Sequence, residues 1–382
     1  MRIVSNIVLT DPRFDKTKPR NAVDKFFLQY IRDERDLPFV YLTLKQTLTV
    51  IPFAIYLFWP GNFNWWLALV YWVWVIGLNL SPFILMLHNT SHRTLFKRQY
   101  RLLNYYVPWL LGPFFGETPD TYYVHHIAMH HAENNLDRDL SGTIRYQRDS
   151  FRGWLHYFLT FFFIGLWQLG VYQWRRRNHN LVKRILAGEL GFYIVAIGLT
   201  FYNPQAAFTV FILPFIICRF GMMAGNWGQH AFVDASDPGN SYRNSITCIN
   251  ARYNHIAFND GYHIGHHVRP LRHWTDMPAD FERDIPKYRA EGSIIFEGLD
   301  FGVVWALLMF KRYDTLADKF VDLQEPKRSK EEIIALLKER TRRITTDEVP
   351  MGYTLNDRGA AIRAGLPPVT LTSDIPADAA AE

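Results

Sequence analysis

WWLALVYWVWVIGLNLSPFILMLHNTSH, residues 65–92, is the stretch whose reading decides the fold. Positions 65–87 hold no charged side chain. That run is long enough for a helix to cross the hydrocarbon core of a bilayer, which takes roughly 20 residues. It ends directly in HNTSH, where His88 and His92 stand four apart and therefore share one helical face just past the apolar run. The preceding turn, WPGNFNW at 59–65, places tryptophans where an interface belt would hold them. Before it lies another apolar run, YLTLKQTLTVIPFAIYLFW at 41–59, whose Lys45 is close enough to one end to snorkel.

Three more apolar runs follow at 154–174, 186–202 and 205–225, the last two parted by a turn at Asn203 and Pro204. A shorter stretch at 102–116 carries Pro108, Gly112 and Pro113 and reads as interfacial or re-entrant. The composition agrees with this pattern. Twelve Trp, 20 Tyr and 29 Phe crowd a chain whose charges gather between the apolar runs. The net charge of +6 comes from basic residues flanking those runs, which argues for a membrane surface and against nucleic acid. The two cysteines, Cys218 and Cys248, form no CxxC pair, so neither a disulfide framework nor a thiolate metal site is expected. The N-terminal residues MRIVSNIVLTDPRFDKTKPR lack a long apolar h-region, so no cleavable signal is expected.

Charge orders the segments. The basic N-terminus belongs in the cytoplasm under the positive-inside rule, and so do Arg175, Arg176, Arg177, Lys183 and Arg184. Two hairpins that leave and return satisfy both constraints only if 154–174 does not cross completely. The expected architecture is therefore all-α and membrane-integral. It has four transmembrane helices in two hairpins, interfacial helices, and a cytoplasmic helical cap rich in histidine. The chain divides into a cytoplasmic N-terminal segment (1–40), a membrane domain (41–311), and a C-terminal helix with a Pro- and Ala-rich mobile tail from about 350 (312–382).

Histidine supplies the chemistry. HHIAMHH spans 125–131, NWGQH places Asn226 four before His230, and HIGHH holds His263, His266 and His267. His126 and His130 share a face by α-helical spacing, with His131 about a third of a turn round. A single i,i+4 histidine pair is common by chance, but four such clusters all fall on the expected cytoplasmic side. Neutral imidazole is a good ligand for iron, zinc, copper and nickel. So many imidazoles exceed the four ligands of a structural zinc, which makes two metal ions the economical reading.

These clusters resemble the histidine boxes of the membrane fatty acid desaturase and hydroxylase superfamily. HNTSH matches the first box, HIAMHH (His126, His130 and His131) the second and HIGHH the third, while NWGQH matches the NxxxH element of acyl-CoA desaturases. The resemblance covers roughly 40–280. It implies two non-haem irons held by His88, His92, His126, His130, His131, His230, His263, His266 and His267, with Asn226 holding a metal-bound water or lying just outside. His125, Asp137, Asp139 and Asp260 would support those ligands from outside, with Glu133 a further candidate. His156, His179, His255 and His273 read as structural. The implied activity is O2-dependent desaturation of a lipid acyl chain, with hydroxylation as the alternative on the same ligands. A non-catalytic membrane metal-binding protein is the alternative of another class. The HxxxH first box leans away from acyl-CoA. No fused haem segment or iron–sulfur cysteine set is visible, so an external electron donor of the cytochrome b5, ferredoxin or rubredoxin type is implied. Arg269, Arg272, Lys97, Arg98 and Arg101 are candidates for docking it. The expected location is the bacterial inner membrane or the endoplasmic reticulum, with the active site facing the cytoplasm.

Overall fold

Five helices of the computed structural model are long and apolar enough to cross a membrane: α1 (Glu34–Phe58), α2 (Trp65–His92), α3 (Phe151–Arg175), α4 (His179–Tyr202) and α5 (Pro204–Gln229). The structure describes residues 7–345, so the tail expected from about residue 350 lies outside the described residues. Local chemistry sets the helix starts. The Asn64 side chain accepts from the Leu67 N–H, and Asn203 accepts from Ala206 ahead of Pro204 in the first turn of α5.

The helices pair as two hairpins whose turns lie together. Trp72 donates its indole N–H to the Thr209 carbonyl at 3.0 Å, and Phe58 packs on Phe211. Trp59, Trp65, Trp66, Phe201 and Tyr202 are exposed at these two turns, as aromatic residues at a bilayer interface are. The opposite ends meet a polar cap. Arg35 and Asp36 at the start of α1 bond Asp276 and His273 at 2.9 Å each. Asp11 reaches the same cap, where its buried carboxylate accepts from Tyr262 at 2.5 Å, Asn254 at 3.0 Å and the Asn250 N–H at 2.9 Å. The N-terminal segment, both hairpin mouths and the histidines therefore share one side.

Helix α3 behaves differently from the other four. Near its start the Tyr157 hydroxyl donates to the Ser141 carbonyl, and near its end Tyr172 and Arg176 bond Glu133 while Gln173 donates to the Ala128 carbonyl. Both ends thus touch the single stretch 128–141. Trp154 and Phe158 face α5 at Phe220, whereas Leu159, Phe163 and Trp167 are exposed.

Residues 98–116 descend between the hairpins and turn back. Lys97 is held at the cap by the Leu28 and Gln29 carbonyls, while deeper in, Phe115 stacks on Phe83 at 4.2 Å and Phe114 packs on Phe211. The turn is at Gly116, whose φ of +81° suits glycine and whose Cα approaches the Pro214 backbone so closely that a Cβ would lie 2.3 Å from it.

The cap corrects the all-α expectation in one detail. Strands β1 (Ile246–Ile249) and β2 (Ile294–Glu297) pair in parallel, Ile246 opposite Ile294. Four-residue apolar runs are too short for periodicity to separate strand from helix. Around them stand α6 (His263–Val268), α7 (Met277–Ala290), α8 (Phe301–Met309) and α9 (Lys330–Arg340). The guanidinium of Arg148, fully buried, closes the cap by donating to the carbonyls of Ile144, Ala231, Arg340 and Arg342 at 2.6–3.1 Å.

Helix α4 meets the turned-back segment at Gly188, where a Cβ would fall 1.8 Å from the Pro119 carbonyl oxygen. Gly188→Ala forces backbone apart in a packed site, which costs about 1–3 kcal/mol. Gly191, with open space around it, is the control. In detergent, Gly188→Ala should lower the unfolding temperature clearly and Gly191→Ala should not; equal melting curves would show that the two elements are not locked there.

Candidate metal centre

Nine histidines from four separate elements bring their Nε2 atoms together inside the cap. His88 and His92 come from the end of α2, and His230 follows α5. His263, His266 and His267 lie on α6, and His126, His130 and His131 on the short helical segment 121–133. They form two groups. In one, candidate ligand atoms of His88, His92, His126 and His266 lie within 4.8 Å of one another, and His131 joins them with its Nε2 3.1 Å from that of His126 and 3.0 Å from that of His266. In the other, His130, His230, His263 and His267 converge to the same limit.

The geometry suits metal ions. Adjacent Nε2 atoms are 2.9–3.2 Å apart in the pairs His88–His266, His92–His126, His263–His230 and His267–His263. Two nitrogens bound at right angles to one metal, each about 2.1 Å away, would be about 3 Å apart. The Nδ1 partners of His130 and His230 set which ring atom each turns to the group. His130 donates Nδ1–H to Asp139 at 2.7 Å, and His230 donates Nδ1–H to the Asn244 carbonyl at 2.9 Å. In their neutral forms both rings therefore turn bare Nε2 lone pairs into the group. Burial, reinforced by the neighbouring imidazoles, pushes His126, His131, His263, His266 and His267 well below the ordinary imidazole pKa, and burial brings His230 down to about 3. All six are thus kept in the neutral form that ligates metal. Facing lone pairs of this kind repel one another unless a proton or a metal cation sits between them.

The second box departs from its α-helical reading. Residues His126–His130 form a π-helical turn, hydrogen-bonded i to i+5. The wider turn brings His131 round to the side of His126 and sends His130 to the other group, so the expected His126–His130 pair is split. HIGHH is split too: His263 and His267, i and i+4, stay together, and His266 faces the first group.

The acids sort themselves by contact. Asp139 is fully buried. Beyond His130 it accepts from the Asn135 N–H, the Ser141 N–H and the Ser141 hydroxyl. Burial alone would raise its pKa, but His130 and these donors hold it below the usual carboxylate range. Asp260 lies 3.5 Å from His88 Nδ1 and accepts from Tyr253. Asp137 is a correction: it is exposed, and among the described residues it bonds no box histidine, because the tight turn after His131 aims Asp139 inward instead. Glu133 is spent on Tyr172 and Arg176. The Asn226 amide nitrogen donates to Ser141 O and Tyr157 OH, and the residue lines the same cavity as His130 and His263. His125 touches no ligand histidine through a hydrogen bond; its ring stands edge-on to Phe161, and its buried Nε2 has no partner among the described residues. His273 is buried between Asp36 and Thr275, and His156, His179 and His255 are exposed, as structural residues would be. Arg269 and Arg272 are paired with Asp280, Asp284 and Asp276, which weakens them as a docking patch.

A cavity of about 450 Å³ opens onto His88, His126, His130 and His263. Its walls are largely apolar, with Leu80, Ile84, Leu169 and Met223 among them. They also carry Glu117, Glu189 and Arg219, which belong to none of the histidine motifs. The signal was in the sequence, because Glu189 and Arg219 are charges inside otherwise apolar runs.

A membrane-embedded helical body capped by paired histidine clusters defines a class of oxidoreductases acting on lipids, of desaturase or hydroxylase type. The chain belongs to the fatty acid desaturase family, whose model matches residues 64–298. It is also similar to a Caenorhabditis elegans protein described as a candidate sphingolipid delta(4)-desaturase/C4-monooxygenase. The two are 24% identical over 268 residues, 67% of this chain and 68% of that one.

Asp139→Asn keeps the shape of the side chain but removes the charge that fixes the His130 ring. Loss of such a carboxylate partner typically costs 10–100-fold in metal affinity. Competition titration of purified protein with Fe(II) or Co(II) should show a loss in that range; unchanged affinity would mean that the bond to His130 is purely architectural.

Proposed function

We propose that this protein is a membrane-bound, non-haem di-iron enzyme that uses O2 to introduce a double bond into a lipid acyl chain. The observation that carries this reading is the separation of nine buried or half-buried histidines into groups of five and four beside a mostly apolar cavity. His88, His92, His126, His131 and His266 would hold one iron, and His130, His230, His263 and His267 the other, with Asn226 lining the same cavity. When bound, the two irons supply the redox chemistry with O2 that side-chain acids and bases lack. The protein's own residues do the rest. Asp139 and the Asn244 carbonyl fix ring tautomers, and Asp260 steadies His88. Leu80, Ile84, Leu169 and Met223 exclude water and hold the acyl chain so that one methylene faces the centre. Electrons would come from a separate cytochrome b5, ferredoxin or rubredoxin type donor on the cap side.

A second reading, lipid hydroxylation on the same ligands, is favoured by one observation: the nematode relative is described as carrying both activities in one protein. Lipid mass spectrometry of cells expressing the protein beside His130→Ala distinguishes them. Products lighter by two hydrogens and absent from the variant support desaturation; products heavier by one oxygen support hydroxylation. Purified protein carrying iron but changing no lipid in the presence of donor and O2 would favour a non-catalytic metal-binding role.

For the membrane arrangement, we propose four crossing helices, with α3 lying along the interface and the cap in the cytoplasm of a bacterial cell or on the cytoplasmic face of the endoplasmic reticulum. Residues 41–311 would form the catalytic domain, flanked by 1–40 and 312–382. The support is the contact of both ends of α3 with 128–141. Arg152 and Arg177, both exposed, bracket that helix. Arg152→Cys and Arg177→Cys should both react with a membrane-impermeant thiol reagent from the cytoplasmic side; labelling from opposite sides would make α3 a fifth span.

A further inference from the structure

The cavity is not lined as a plain hydrocarbon slot would be. Three of its polar side chains end in buried atoms with no hydrogen-bond partner among the described residues: Thr121 Oγ1, His125 Nε2 and Glu189 Oε2. Thr121 and His125 are one helical turn apart, so both present these atoms from one wall. Glu189, 2% exposed, accepts through Oε1 from Thr118 at 2.5 Å and from Arg219 at 3.4 Å, and the Tyr193 hydroxyl also interacts with its carboxylate. A buried polar atom left unpaired costs about 1–3 kcal/mol. An ionisable residue inside a membrane helix is retained where it serves a pathway or a ligand.

The charges narrow the choice of ligand. Two carboxylates, Glu117 and Glu189, share a single cation, Arg219, whose Nη1 is also engaged by the Gly116 carbonyl at 3.1 Å. Away from the histidine end, this wall therefore has no surplus positive charge for a carboxylate or phosphate. An alkyl chain offers no donor to Glu189 and no partner to Thr121 or His125. A hydroxyl or an amide both donates and accepts, which is what this wall lacks.

We propose that this wall is a recognition site for an uncharged hydrogen-bonding group on the lipid, a hydroxyl or amide, read by Thr121, His125 and Glu189. It places the substrate of the enzyme proposed above, on which it rests, among lipids that carry such a group within reach of the cavity. Thr121 and Glu189 are positioning residues that set which carbon faces the histidines.

The test uses binding, which does not need turnover. Full-length, iron-loaded protein in detergent is titrated with 1-octadecanol, octadecanamide, octadecane and stearate, with thermal stability and competition as readouts. The alcohol and the amide should bind about 5–10-fold more tightly than the alkane and stearate, a hydrogen bond's worth. Thr121→Val removes an unpartnered hydroxyl at nearly constant shape, and Glu189→Gln removes the acceptor charge; each should reduce the preference. Equal binding of all four probes, tightest binding of stearate, or a preference intact in both variants would overturn the proposal. Lipid oxidation by the same preparation separates the two readings. A binding preference without oxidised lipid removes the enzyme and keeps the site, and oxidised lipid without a preference removes the site alone.

Discussion

The rest of the structure depends on a local electrostatic constraint, the packing of nine imidazole Nε2 atoms into two groups at contacts near 3 Å. Neutral lone pairs this close repel unless a proton or a cation lies between them, and protonated rings repel one another as well. The arrangement therefore has to be imposed from outside by elements rigid enough to hold it. Four elements do this: the end of α2, the residue after α5, the segment 121–133 and α6. Each contributes histidines to a point that none of them defines alone.

That requirement explains why the hairpin mouths are tied to the cap so heavily. The His273–Asp36 and Arg35–Asp276 bonds join α1 to the loop that follows the third box. Asp11 bonds Tyr262, the residue just before His263. Arg148 joins four carbonyls from three distant parts of the chain. A buried guanidinium served by neutral carbonyls is a costly fastening, because desolvating the charge is only partly offset. Burial depresses its pKa to about 9, which is the same cost seen from the titration side. Such a fastening is retained where loosening the cap would let the histidines drift, since sub-ångström placement decides whether a ligand set closes.

Much of this was legible in the sequence. Apolar run lengths located the helices to within about seven residues, because charged and polar first turns extend α1 and α4 beyond their apolar runs, and the His88/His92 and His263/His267 pairs hold because α-helical spacing describes those segments. The second box was misread at His126 and His130 for one reason: a π-turn changes which residue comes round, and nothing in HIAMHH announces it. Asp139 rather than Asp137 meets His130 because the turn is set by left-handed residues at Asn134 and Asn135, a backbone fact invisible in a list of acids. The short parallel strands fell below the length at which a pattern speaks. Glu189 and Arg219 were visible as charges within apolar runs and needed only the question of what they do there.

That question has a structural answer as well as a chemical one. A segment that enters a bilayer and turns back exposes carbonyls and N–H groups that lipid leaves unsatisfied, so irregular backbone at such depth survives only when buried in protein or beside a polar cavity. Arg219 and Glu189 meet that need by bonding the Gly116 carbonyl and the Thr118 hydroxyl at the turn. This accounts for Arg219 and for one oxygen of Glu189. It leaves the other oxygen, Thr121 Oγ1 and His125 Nε2 buried in the wall of the same cavity without a partner among the described residues. The polar floor that lets the segment fold back therefore has more bonding capacity than the fold consumes, and the surplus belongs to residues that line the cavity.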